Sequence, residues 1–304
     1  MVKVTHKGYL RSTQVAFVAL YTIIITGSLV RLTGSGLGCA DWPKCSDSKF
    51  IDVSSTHAAI EQINRLFTGV VAAAVIVCVL LAFKLRPKRR DLIGMSIMLV
   101  VGVLAQVMIG AIVVWTGLNP ISNIAHFLVS IFLMSVAYML VQHARIFRLT
   151  ENATPRGEPR LKDKFAINLV RLMVLATGLA VLTGTVVTGS GPHAGDEDAI
   201  RLGFGVTRVV RIHSATVWLA MFSSLGLAIL IRRSRDLADI LQRSLSRYLL
   251  ILVFQGGIGY TQYFLGVPVI LVALHVATSV AVWLCAVDVY WNSRLSTQQQ
   301  NVID

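Results

Sequence analysis

Eight runs of about 20 apolar residues constrain this chain more than any other feature of it. They fall near 14–33, 57–83, 92–115, 122–144, 166–188, 207–231, 247–265 and 269–291. Inside a bilayer every backbone N–H and C=O must be satisfied within its own segment, so runs of this length are helices. Strands of a barrel would be half as long and would alternate. Charged residues make up 14% of the chain and hydrophobic ones 55%, which excludes an ordinary soluble domain. The first run follows a basic leader, as a cleaved signal peptide does. It carries Arg31 near its outer end and lacks an A-x-A site, so a retained helix is expected.

The net charge of +13 suggests nucleic acid until its distribution is considered. Of the 28 Lys and Arg residues, 20 fall on one side of the expected membrane. They lie before the first span (Lys3, Lys7, Arg11), between spans two and three (Lys84 to Arg90), between four and five (Arg145 to Lys164), between six and seven (Arg232 to Arg247), and at Arg294. The positive-inside rule puts both termini and these loops in the cytoplasm of a cell-membrane protein. The basic charge is a topology signal, and no nucleic-acid partner is expected.

The spans repeat. His126 and His275 lie 149 residues apart, as do Gln106 and Gln255, and Gly110 and Gly259. Applied to His213, that offset lands on Asn64. Thr26-Gly27 and Thr33-Gly34-Ser35-Gly36 reappear as Thr183-Gly184 and Thr188-Gly189-Ser190-Gly191. Four crossings return the chain to its starting side, so the halves are parallel repeats. The expected organisation is an all-α integral membrane protein of eight helices in two four-helix bundles. Residues 1–146 form the first half, 147–165 a cytoplasmic linker with Pro155 and Pro159, 166–292 the second half and 293–304 a fraying tail. Each half has a long outer loop, 34–56 and 189–206, and a tight outer turn, at Asn119-Pro120 and Val267-Pro268. The second long loop is about six residues shorter and lacks the cysteines of the first.

At 1.5 Å of rise per residue, His126, His213, His275 and Asn64 all sit roughly 8–10 Å below the outer surface. Paired histidines at equal depth on neighbouring helices are what a bis-imidazole haem requires. The natural pairs are His213 with His275, and Asn64 with His126. The plainer reading of any one of them is a hydrogen-bonded packing residue. His6, His143 and His193 fall at a tail, a helix end and a loop, and are expected to be solvated.

Glu61 is the one acidic residue in the outer half of any span, and it shares a helical face with Asn64. An ionisable group at that depth marks function; the alternative is a carboxylate favoured in the first turns of a helix opened by Ser54, Ser55 and Thr56. At offset 149 its counterpart is Val210, so the acid occurs in one half only. Arg65, Arg208 and Arg211 lie at the same outer level, as carboxylate-binding forks or as snorkelling side chains. Cys39 and Cys45 can form a disulfide outside the cytoplasm, either a reducible one or a structural staple. Cys78 and Cys285 sit singly inside spans as packing residues. Gly34-Ser35-Gly36-Leu37-Gly38 follows no strand and is not a phosphate loop.

The run TGSGLGCADWPKC at 33–45, Glu61 with Asn64-Arg65, and His126, His213 and His275 at their spacings together resemble the haem A synthase family across essentially all eight spans. GSGPHAGD at 189–196 is similar to the second outer loop of its actinobacterial-type members. The resemblance implies oxidation of a methyl group of haem O to the formyl group of haem A, for haem–copper oxidase biogenesis. It implies a haem b held by His213 and His275, and haem O in the amino-terminal half, with His126 as ligand and Asn64 and Arg65 in its pocket. It also implies Glu61 as the catalytic carboxylate and Cys39 with Cys45 as a redox or stabilising pair; the arginines at the outer level, Arg208 and Arg211 among them, are candidates for the haem propionates on their own chemistry. Implied partners are a haem O synthase, the cytochrome oxidase assembly pathway and membrane lipid. Many members carry histidine where this chain has Asn64, so a single strong ligand, His126, suits a substrate that arrives and leaves. The rivals are a dihaem quinol oxidoreductase-like electron carrier and a haem transporter. The electron carrier needs neither Glu61 nor unequal halves, and transport predicts that mutating Glu61 alters haem distribution but not haem structure.

Overall fold

The computed structural model describes residues 4–150 and 158–303; Lys3, Pro155 and Arg156 lie outside them. The helices are α1 (His6–Leu32), α2 (Thr56–Lys84), α3 (Arg90–Trp115), α4 (Pro120–Thr150), α5 (Lys164–Ser190), α6 (Val206–Arg233), α7 (Arg235–Phe264), α8 (Val269–Arg294) and α9 (Thr297–Ile303). Seven of them, α1 to α6 and α8, are long and apolar enough to cross a membrane. The protein is an all-α membrane protein. α7 is equally long, but Gln255, Thr261, Gln262 and three glycines dilute its apolar stretch. The span expected at 247–265 thus falls short on composition.

Outward-facing side chains are those of a lipid-solvated surface. Leu250 is 74% exposed, Phe264 77% and Val15 61%, on helices whose buried faces hold few polar groups. In water an apolar belt of this extent is not sustained. The bilayer is the solvent that makes these helices inside-out relative to soluble ones.

Local signals set the helix ends. Thr5 caps α1 by accepting from the Gly8 amide at 3.0 Å, and Ser55 caps α2 by accepting from Ala58 at 3.1 Å. At the other end of α1, Gly34 takes φ +67°. The Ser35 amide then reaches the Val30 carbonyl at 2.9 Å and the Gly34 amide the Arg31 carbonyl at 3.2 Å. This is a Schellman motif, which needs a residue free to adopt the left-handed region. α3 and α7 stop in the same way at Gly117 and Gly266. Those two motifs create the tight turns expected before Pro120 and Pro268.

The chain divides into two compact units: Met1–Asn152 with Thr188–Gly203, and Ala153–Val187 with Phe204–Asp304. In the first unit α1 packs on α2 and α4, and α3 on α2 and α4, which closes a four-helix bundle. Tyr9, Leu92, Leu99, Met134 and Phe147 are fully buried there. The Tyr9 hydroxyl meets Ser96 Oγ at 3.0 Å, so α1 and α3 are also joined through the interior. In the second unit α7 packs between α6 and α8. α5 joins them through Thr177 Oγ1 to Tyr248 Oη at 2.7 Å, beside a core of Leu227, Leu241, Leu245 and Val289.

Several expected boundaries move. Residues 147–150 continue α4, and 164–165 already belong to α5, so the linker is shorter than 147–165. The segment 188–203 groups with the first unit and not with the second half. Hydrogen bonds hold it there: the Arg31 guanidinium donates to the Thr188 carbonyl at 2.9 Å, and the Gly36 amide to the Gly195 carbonyl at 3.0 Å. The tail is no frayed strand either. Ser296 and Gln299 exchange reciprocal bonds at 3.3 and 3.0 Å. That capping box starts α9.

Candidate functional site

In the second unit, His213 on α6 and His275 on α8 face each other with ring centres 6.4 Å apart and planes at 77°. Two metal–imidazole bonds of about 2 Å, with each ring nitrogen about 1 Å from its ring centre, reproduce such a separation. The separation of this pair is thus one that two ligands of a single metal would have, and both side chains belong to one unit. His213 Nδ1 lies 3.2 Å from Thr183 Oγ1, which is 3.1 Å from Thr216 Oγ1. His275 Nδ1 is buried without a partner among the described residues. Its backbone is held instead: Gln255 Nε2 donates to the His275 carbonyl at 2.9 Å, and Thr278 Oγ1 donates to Gln255 Oε1.

The first unit repeats that clamp. Gln106 Nε2 donates to the His126 carbonyl at 3.0 Å and to Ser130 Oγ. His126 Nδ1 is again buried and unpartnered among the described residues. Asn64, partly buried on α2, has its Oδ1 in the same condition. One imidazole and one amide thus stand in the first unit where two imidazoles stand in the second.

Glu61 is 5% exposed and fully engaged. Its Oε2 accepts from the Cys39 amide at 2.8 Å. Its Oε1 accepts from Arg65 Nε at 2.9 Å and from the terminal Arg65 nitrogen at 2.5 Å. The remaining arm of Arg65 donates to the Asp41 carbonyl at 2.9 Å and to Lys44 at 3.2 Å. Cys39 and Cys45 are joined by a disulfide. The loop between them is thereby fastened to α2 by a carboxylate at one end and a guanidinium at the other. Gly38 makes this approach possible, because a Cβ there would lie 2.4 Å from the His57 carbonyl oxygen.

Two sequence expectations change here, for Arg65 and for the histidines expected to be solvated. Arg65 spends its donors on Glu61 and the loop, which is neither a free carboxylate fork nor a snorkelling side chain. The Glu61–Arg65 spacing of i, i+4 was the signal for this pair. His57 is exposed and 2.9 Å from Ser35 Oγ through its Nδ1. Among the other histidines, His6 opens α1 with its ring centre 4.2 Å from that of Phe147 and tilted 40° to it, and His143 Nδ1 lies 3.3 Å from an Asp91 oxygen; both are partly buried. Arg208 and Arg211 are exposed on the first turns of α6. Thr183 was not anticipated as a partner of His213.

The sequence pattern of the family described as cytochrome oxidase assembly protein matches residues 11–62 and 49–287. The chain belongs to that family. This cytochrome oxidase assembly protein family member is similar to the Heme A synthase of Bacillus pumilus (strain SAFR-032), 32% identical over 168 residues, or 54% of this chain and 53% of the relative. The Heme A synthase of Geobacillus thermodenitrificans is 31% identical over 138 residues, 45% of this chain and 43% of that protein. That of Lysinibacillus sphaericus (strain C3-41) is 30% identical over 182 residues, 58% and 59% respectively. The chain spans about half the length of the curated relatives it matches.

Proposed function

We propose that this chain is a haem A synthase, an oxidoreductase that converts the methyl group of haem O to the formyl group of haem A. The observation that carries the reading is the inequality of the two units. One holds a complete pair of imidazoles, and the other holds a single imidazole, an amide and a buried carboxylate. A resident cofactor suits the first arrangement, and a substrate that must leave suits the second.

His213 and His275 are the residues that would hold a haem b, which supplies a one-electron redox centre when bound. His126 would hold the iron of haem O as its one strong ligand, and Asn64, an amide, would at most be a weak one. The methyl carbon loses four electrons overall. As a half-reaction, the methyl group and one water give the aldehyde, four protons and four electrons, through two hydroxylations and loss of water from the geminal diol; an external oxidant must accept the electrons. Glu61, held by Arg65 and the Cys39 amide, would place a carboxyl group where positive charge develops at that carbon. Arg65 is a positioning residue for Glu61. The disulfide at Cys39–Cys45 keeps the amide donor in place.

The topology belongs to the same proposal. We take α7 as an eighth crossing, supported by its 30 residues and its packing between α6 and α8. The halves are then parallel repeats, an assignment supported by the matching Gln–His clamps. Both termini face the cytoplasm, and the sites lie toward the outer face of the cell membrane. Arg208 and Arg211, exposed at the start of α6, remain candidates for propionate carboxylates. A haem O synthase supplies the substrate, and cytochrome oxidase assembly consumes the product.

The test is mass spectrometry of haems extracted from membranes co-expressing the chain with a haem O synthase. Haem A, or its hydroxylated precursor, is expected with Glu61 intact and not with Glu61→Gln. Unconverted haem O beside a tightly bound haem b would instead support an electron-transfer protein.

A further inference from the structure

Each imidazole of the second unit lies against a glycine of a neighbouring helix. A Cβ on Gly184 of α5 would sit 3.2 Å from His213 Cε1, 3.5 Å from Nδ1 and 3.9 Å from Nε2. A Cβ on Gly259 of α7 would sit 3.0, 3.5 and 4.0 Å from the same three atoms of His275. Both Cε1 approaches are closer than the roughly 3.5–4.0 Å at which carbon atoms pack. The first unit has looser counterparts: 3.5 Å from Gly110 to His126 Cε1, and 3.9 Å from Gly27 to Asn64 Nδ2. Gly256 and Gly257, also on α7, face nothing within 4 Å. On α7 close backing is therefore confined to Gly259, and the two glycines that meet the facing rings stand closer to them than Gly110 does to His126.

We propose that Gly184 and Gly259 are positioning residues that fix the planes of the two histidine ligands, holding them crossed at the observed 77°. The inference rests on the haem ligation proposed above. The two rings are held by different means. His213 has the Thr183 hydroxyl at 3.2 Å on its Nδ1. His275 Nδ1 has no such partner among the described residues, so shape alone orients that ring. Close packing transmits the change of a single methyl group. An alanine at either glycine must turn or displace the ring it meets.

The plane angle has a spectroscopic consequence independent of turnover. Crossed imidazole planes leave the iron d orbitals of a low-spin ferric haem nearly degenerate, and the electron paramagnetic resonance spectrum then shows one large-g feature. Near-parallel planes give a rhombic spectrum instead. The full chain, purified with its haem and oxidised, is expected to show the large-g feature. Gly259→Ala and Gly184→Ala are expected to shift it toward the rhombic form and to move the midpoint potential, whereas Gly256→Ala leaves both unchanged. A rhombic wild-type spectrum overturns the proposal, as do alanine variants with the wild-type spectrum and potential.

Should Gly259→Ala accumulate poorly, the double variant Gly259→Ala/His275→Ala decides the matter. It is expected to accumulate as His275→Ala does, because the ring that the methyl group strikes is gone. Persisting loss means that the glycine serves helix packing, and the proposal fails. Failure of the ligation itself reads out differently: His213→Ala and His275→Ala would then keep the wild-type haem content and spectrum.

Discussion

Glu61 and Arg65 meet one helical turn apart, with Arg65 Nε 2.9 Å from Glu61 Oε1 and a second guanidinium nitrogen at 2.5 Å. Their side chains are 7% and 17% exposed, which separates this pair from the Lys49–Asp52 pair of the preceding loop, whose lysine is 52% exposed. Removing one partner of a buried pair leaves an uncompensated charge, at a cost of about 3–5 kcal/mol. Arg65→Ala is therefore expected to lower the melting temperature in detergent by far more than Lys49→Ala. Arg65→Lys keeps the charge but loses the fork and should fall between them. Equal melting temperatures for Arg65→Ala and Lys49→Ala would mean that the clamp contributes nothing.

The disulfide closes a short loop, with six residues of sequence separation between Cys39 and Cys45. Loop-closure entropy for such a ring is about 2 kcal/mol. The Cys39→Ser/Cys45→Ser variant is expected to fold, since α2 keeps its Ser55 cap, but to hold 34–55 less firmly. Limited proteolysis measures this: cleavage within 46–53 should be several-fold faster than in wild type. Unchanged cleavage would assign the anchoring wholly to Glu61 and Arg65.

The glutamine clamps are a matched pair with a predictable difference. Gln255 uses both ends of its amide, on the His275 carbonyl and Thr278, whereas Gln106 Oε1 is buried without a partner among the described residues. A hydrogen bond between membrane helices contributes about 0.6 kcal/mol on average. Gln255→Leu loses an amide engaged at both ends, whereas Gln106→Leu also removes an unpartnered buried oxygen, so the melting temperature of Gln255→Leu should fall further. The reverse order would contradict the hydrogen-bond assignment.

How much of this was legible beforehand follows from the range of each interaction. Apolar runs announce helices because a bilayer leaves the backbone no alternative, and α1 to α6 and α8 appear close to where those runs lie. The Gln106–His126 and Gln255–His275 clamps were visible as a shared offset, because repeated packing demands repeated side chains. The hold of Glu61 on the Cys39 amide was not visible. It joins residues 22 apart through a loop without regular structure. Arg65 was weighed for propionates because its donors could not be counted until the Asp41 and Lys44 carbonyls were placed. α9 escaped notice because its capping box, Ser296 to Gln299, lies in a polar segment with no apolar run to announce it.

Ligand removal separates the two units. His275→Ala deletes one imidazole of the crossed pair and is expected to abolish the resident haem, measured as haem per chain after purification. His126→Ala should leave that content near wild type while ending conversion of haem O. If His126→Ala also emptied the protein of haem, the assignment of resident and substrate sites to separate units would be wrong.

The replacement at position 64 gives the strongest test of why the units differ. Asn64 Oδ1 is buried without a partner among the described residues, and a Cβ on Gly27 would stand 3.9 Å from Asn64 Nδ2. In the second unit the corresponding contact, Gly184 to His213, is 3.2 Å, so the first unit has slack where the second is tight. Asn64→His fits into that slack and supplies a second imidazole opposite His126. Two strong axial ligands hold a haem iron more firmly than one. The purified variant is expected to retain haem in both units, to show a second low-spin signal, and to release product more slowly than wild type. A haem content unchanged from wild type would mean that position 64 does not face the iron, and that the asymmetry between the units has another origin.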